Sequence, residues 1–192
     1  MDEIYMADDV RDRLIQSGLR ELSEHGLESF SLRRVAIAAG VSCAAPYRHF
    51  KDKDELVLGI IGYVREGWEL LSENVAEAHG ESCAECIKEL SRLLVHFWVG
   101  NGNFRSILML SDSGSASVRE EIARFDAPLI RAISAFSREH GLSSEDERTL
   151  ADTVLALVYG TLIRVSMGSQ DRDTGLEILK NKITNELVNY IC

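Results

Sequence analysis

Apolar residues recur at helical spacing along most of the chain, and no stretch shows the two-residue alternation of a half-buried strand. Val10, Leu14, Ile15, Gly18, Leu19 and Leu22 make one stripe ending at His25 and Gly26, which predicts a first helix. A shorter stripe of Leu32, Val35, Ala36 and Ala39 lies between Ser31, suited to cap a helix start, and Gly40, suited to a left-handed helix end. Val41 then supplies an apolar plug and Ser42 a second cap, opening a helix predicted over residues 43–50. Pro46 has no N–H and is tolerated only in the first turn, so that helix is predicted to be short.

The pattern continues to the end of the chain. Leu56, Ile60, Tyr63, Val64, Trp68, Leu71 and Val75 predict a helix over 54–78, interrupted by Gly59, Gly62 and Gly67 that mark either close packing or a yielding helix. Ile87, Leu90, Leu94, Phe97 and Trp98 predict another, residues 104–110 a short one, and Ile122, Phe125, Leu129, Ile133 and Phe136 one over 117–141 with Pro128 inside it and a kink near Asp126. Residues 145–167 are apolar on nearly every side, so burial is expected both in their own core and against a partner. Leu176, Leu179, Ile183, Leu187, Val188 and Ile191 mark the last helix.

Charge sharpens the front of this picture. The chain has 192 residues and a net charge of −10, yet residues 31–53 carry Arg33, Arg34, Arg48, Lys51 and Lys53 against the single acid Asp52. Such a reversal of sign suits a face that neutralises phosphates. Two helices joined by a short turn are the geometry that sets the second helix in a major groove. With 45% hydrophobic residues the chain can bury a sizeable core. The acidic start MDEIYMADDV lacks the basic and apolar regions of a signal peptide, and no apolar run approaches bilayer length. A soluble cytoplasmic protein is expected, with its four cysteines reduced and no membrane partner.

The run from Leu14 to Gly26, Ser31-Leu32-Arg33-Arg34-Val35-Ala36, Ala39-Gly40-Val41-Ser42, Tyr47-Arg48-His49-Phe50 and Lys53-Asp54-Glu55-Leu56 resembles the signature of the TetR family of transcriptional regulators, over about residues 8–68. The resemblance implies an all-α protein of about nine helices. A three-helix DNA-binding head would occupy residues 8–53, with its helix-turn-helix motif at 31–50, and a helical effector-binding and dimerisation body residues 54–192. It implies DNA contacts from Ser31, Arg33, Arg34, Ser42, Cys43, Ala44, Ala45, Tyr47, Arg48, His49 and Lys53, with Arg33 reaching a base or phosphate and Lys53 a phosphate. Tyr47 can also be read as a packing residue, and Phe50 as core. The Cys-Ala-Ala-Pro run departs from the family's usual polar sequence; small apolar groups can touch a thymine methyl but cannot make bidentate hydrogen bonds.

In the body, an apolar effector pocket is expected from Trp68, Leu94, Phe97, Trp98, Phe104, Met109, Phe125 and Tyr159, although each can equally be core. The last two helices resemble the family's dimerising pair, with Leu155, Val158, Leu162, Leu179, Ile183 and Leu187 at the interface. A two-fold homodimer implies a palindromic operator on double-stranded DNA. No cofactor or structural metal is expected; His79, Cys83 and Cys86 form a weak soft-metal or redox candidate. Three function classes follow: a repressor released by a small effector, a regulator controlled by a protein partner or by thiol or metal chemistry, and an enzyme. The last fares worst, since no nucleophile-base pair or phosphate loop is present and only His96 offers itself as a base.

Overall fold

The structure is a computed structural model that describes residues 2–100, 107 and 115–191; the side chains of residues 2–9, and residues 104 and 109 with the expected short helix over 104–110, lie outside what it describes. The described residues are all-helical. In chain order they form α1 (Asp2–His25), α2 (Leu32–Ala38), α3 (Pro46–His49), α4 (Lys53–Ala78), α5 (Cys83–Gly100), α6 (Ala116–Ala123), α7 (Ala127–His140), α8 (Ser144–Ser166) and α9 (Arg172–Val188). The chain divides into two compact units, Met1–Gly67 with Asn101–Arg124 and Trp68–Gly100 with Phe125–Cys192, a division that falls inside α4.

In the first unit α1 packs on α2 and α3. Leu14, Ile15, Leu22, Val35, Ala36, Phe50, Leu56 and Ile60 are buried there. Gly18 permits close approach: a Cβ at that position would lie 2.7 Å from Ile60 Cδ1. The α4 stripe is Leu56, Val57, Ile60, Ile61 and Val64, continuing at Trp68 in the second unit, whereas Tyr63 and Leu71, expected on it, are exposed. Of the α4 glycines only Gly59 is in contact, with a Cβ there 3.1 Å from Phe50, while Gly62 and Gly67 face open space.

In the second unit α5 packs against α7, α8 and α9, and α8 against α7 and α9. Two of its helix starts are capped by side-chain oxygens: Ser143 Oγ accepts from Asp146 N–H at 3.1 Å, and Asp171 from Thr174 N–H at 3.0 Å. The helix expected over 117–141 is interrupted. α6 ends at Ala123, a 3-10 turn covers Arg124–Asp126, and α7 restarts with Pro128 in its first turn, where the missing N–H needs no partner. The irregularity falls near Asp126, where it was expected, but as a break at which proline opens a new helix instead of a kink within one.

Two expectations for the body are corrected. Val158, Leu162, Leu179, Ile183 and Leu187, expected at a dimer interface, are at most 3% exposed within the single chain, and Leu155 is half-buried. The most apolar stripe of each helix is consumed by its own core, leaving Ala156, Gly160, Ile163 and Met167 as the outer face of α8. Second, α8 is long and apolar enough to cross a membrane, with a window mean hydropathy of 1.3. Of that window 22% is buried within the protein, along the stripe of Leu150, Val154, Val158 and Leu162.

Candidate nucleic-acid interface

The turn between α1 and α2 is organised by one buried carboxylate. Glu21, 7% exposed, accepts from the Ser31 backbone N–H at 3.1 Å and from Arg34 Nε at 2.8 Å, with His25 Nδ1 3.3 Å away. Arg34 also donates to the Ser29 carbonyl. Burial alone would raise the Glu21 carboxyl, but the hydrogen bonds from Arg34 and Ser31 and the charges of Arg34 and His25 outweigh it and hold the group below the ordinary carboxylate range. Ser31 caps α2 through Arg34 N–H at 3.4 Å, as its position predicts.

Gly40 ends α2 with φ +68°, a left-handed conformation that its lack of a Cβ makes inexpensive. Its N–H donates to the Ile37 carbonyl and that of Val41 to the Ala36 carbonyl, closing the helix. The expected helix over 43–50 is shorter at its start. Ser42 makes no side-chain cap; its carbonyl accepts from Ala45 N–H at 2.9 Å, and α3 begins at Pro46 with Ala45 at the cap position. The cause is Pro46 itself: without an N–H it cannot donate to the Ser42 carbonyl, so a tighter turn forms and the helix starts one turn later.

This geometry sorts the candidate residues. Arg33, Ser42, Cys43, Ala44, Tyr47 and Arg48 are exposed, Tyr47 at 63%, whereas Ala45 is buried and His49 half-buried. Ala45 therefore belongs to the core of the turn and not to the exposed surface expected of it. Phe50 is core, with the Arg11 guanidinium 5.5 Å from its ring centre. Lys53 is turned inward, donating to the Leu27 carbonyl with its ammonium 6.0 Å from the Phe30 ring centre. Arg34 is likewise engaged by Glu21. The surface facing outward is thus built on Arg33, Tyr47 and Arg48, joined by exposed Ile37 and Lys51, which residue-by-residue matching missed.

Asp52, the lone acid of this region, has a role that sequence reasoning also missed. Its Oδ1 accepts from Glu55 N–H at 2.9 Å while the Glu55 carboxylate accepts from Lys51 N–H, a reciprocal cap that starts α4. The Asp-x-x-Glu spacing was the available signal.

In the body, Trp68, Phe97, Trp98 and Phe125 form one aromatic cluster, with Phe97 5.5 Å from Trp68 and Trp98 4.8 Å from Phe125 between ring centres. Trp68 Nε1 donates to the Phe125 carbonyl at 2.9 Å. These rings and Leu94 are buried against one another as core, and Trp98 Nε1 is buried without a partner among the described residues. Tyr159 donates to Asp126 Oδ1 at 2.7 Å; burial and the Asp126 carboxylate push its hydroxyl pKa upward. His96 is pushed below its ordinary value by burial and by Arg92 and Arg172. Among the described residues no group of three His, Cys, Asp or Glu is placed to hold a metal ion.

Residues 14–60, which span the α1 core, the capped α2, the turn and the start of α4, match the family model of bacterial regulatory proteins of the tetR family. Over this span the chain is similar to the tetR family. It is 35% identical over 94 residues to the HTH-type transcriptional regulator AcrR of Shigella flexneri, a match covering 47% of this chain and 40% of that relative. A TetR-family transcriptional regulator from Streptomyces coelicolor has the same fold at a TM-score of 0.75 and 16% identity, over 96% of this chain and 97% of its own. So does the multidrug binding protein EbrR, solved in complex with imidazole, at a TM-score of 0.66 and 22% identity over 92% of this chain and 93% of its own.

Proposed function

We propose that this chain is a TetR-family transcriptional repressor that binds a palindromic operator as a homodimer and is released by a small, largely apolar effector. The observation that carries the DNA-binding part is the separation of roles in the motif: Glu21, Arg34 and Lys53 are tied to backbone and packing, which leaves Arg33 on α2 and Tyr47 and Arg48 on α3 exposed. With Cys43 and Ala44 unable to make bidentate hydrogen bonds, specificity rests on the arginines, on thymine methyls and on DNA shape.

The effector part is supported by the Trp98 indole N–H within the aromatic cluster, which has no partner among the described residues. A buried donor left unpaired costs about 1–3 kcal/mol, which an effector acceptor seated against Trp98 would recover. The dimer part is supported by the outer face of α8, where Ala156 and Gly160 allow close approach beside Ile163 and Met167.

The test is binding to a palindrome taken from the region upstream of the gene, measured across salt concentrations. The affinity is expected to fall steeply with salt, and Arg48→Ala to reduce the logarithmic slope by about one per contacted phosphate. Salt-independent binding would refute the proposal. For the effector, quenching of tryptophan fluorescence by an apolar acceptor-bearing compound is expected in the wild type and not in Trp98→Phe.

A further inference from the structure

The second unit contains a cavity of about 240 Å³ lined by His79, Cys83, Cys86, Leu90, Pro128 and Arg131, with Glu73 also at its wall. Cys83 is the first residue of α5 and Cys86 lies three residues on, so both thiols sit on one face of the first turn and open into the same space. At this helical spacing Cβ atoms are about 5–6 Å apart, only about 1–2 Å more than a disulfide requires. The Ser82 hydroxyl holds the turn by accepting from Glu85 N–H at 3.4 Å, while Cys83, as first residue, has no intrahelical carbonyl to release if it shifts. Cys83 is half-buried and Cys86 is 8% exposed, so a reagent in the cavity meets Cys83 more readily.

We propose that Cys83 and Cys86 are a redox-sensitive dithiol, converted by a small hydroperoxide entering this cavity into an intrahelical disulfide. The Cys83 thiolate attacks one peroxide oxygen, the O–O bond breaks, and the departing alkoxide takes a proton and leaves as an alcohol. Cys83 is then a sulfenic acid. The Cys86 sulfur displaces its hydroxyl, which leaves as water, and the S–S bond forms. Two thiols have lost two electrons and two protons, and the hydroperoxide has become alcohol and water.

The surrounding charges set the pace of this chemistry. Burial first, then the Glu139 carboxylate through a hydrogen bond and its charge, push the Cys83 thiol up, against a smaller pull from its own backbone N–H and from Arg138. Burial and Cys83 push Cys86 up as well. The cavity wall adds His79, Glu73 and Arg131. The pair therefore rests as thiols at neutral pH, and bridging accelerates as pH rises and thiolate accumulates.

The experiment uses the full chain carrying Cys43→Ser and Cys192→Ser, treated with tert-butyl hydroperoxide and followed by alkylation and intact mass. The expected product has lost two hydrogens and both alkylation sites together, and reduction restores both. Cys86→Ser is expected to stop at a Cys83 sulfenic acid trapped by dimedone. Glu139→Gln is expected to bridge several-fold faster at pH 7, with the advantage shrinking as pH rises. Two alkylatable thiols after treatment, or disulfides only between chains, would overturn the inference. The mass readout does not depend on operator binding, so it stands or falls apart from the proposed function.

Discussion

Arg33 and Arg34 are adjacent, identical in chemistry and assigned by the structure to different tasks. Arg34 bonds the buried Glu21 and the Ser29 carbonyl; Arg33 is exposed. Arg33→Ala is therefore expected to weaken operator binding at unchanged melting temperature, and Arg34→Ala to lower the melting temperature, because it leaves a buried carboxylate short of a partner. Calorimetry and binding on the two variants check this split. Glu21 gives a second test. Its depressed carboxyl pKa means that its stabilisation is fully present above the unfolded carboxyl range and is lost as pH falls through the folded value. The stability gap between wild type and Glu21→Gln should be wide at pH 7 and narrow as pH falls below the ordinary carboxylate range in parallel melts. Sequence alone showed the two arginines but not their division, which depends on where α1 delivers Glu21.

At the scale of elements, the most legible features were those fixed by neighbours in sequence. The Ser31 cap, the Gly40 helix end and the short α3 all follow from residues within four positions. What a side chain meets across the fold was not legible: Lys53 turns to the Leu27 carbonyl, and Ala45 is buried by the turn that Pro46 enforces. Pro128 illustrates the same limit, because a proline that kinks and a proline that restarts a helix have the same local sequence. The α4 glycines separate by contact. Gly62→Ala, whose Cβ would meet nothing within 4 Å, should stabilise by about 0.5–1 kcal/mol, whereas Gly59→Ala, meeting Phe50 at 3.1 Å, should gain less or lose. Denaturant unfolding of both variants measures the difference. If effector release works by yielding of α4, Gly62→Ala should also require more effector to leave the operator.

For the whole molecule, the apolar character of α8 concealed which of its faces is available to a partner. The strongest stripe was read as the interface, yet a single chain buries its strongest stripe first, and a second copy meets what remains. Ile163, 52% exposed, is thus a better probe than Leu162, 3% exposed. Ile163→Asp is expected to shift sedimentation from dimer to monomer with the fold intact and to weaken operator binding sharply. Leu162→Asp should instead unfold the body, since it buries an unpaired charge. An unchanged sedimentation coefficient for Ile163→Asp would remove this face from the dimer.

The turn that Pro46 creates has a consequence for specificity. Cys43 and Ala44 stand exposed on a hydrogen-bonded turn ahead of a four-residue helix, and neither contributes to the buried core. New side chains there, such as Asn or Gln for an adenine or Arg for a guanine, would alter base preference without disturbing caps or packing. Substitution at these two positions would add base contacts to those proposed for the arginines, and the caps and core could be left as they are.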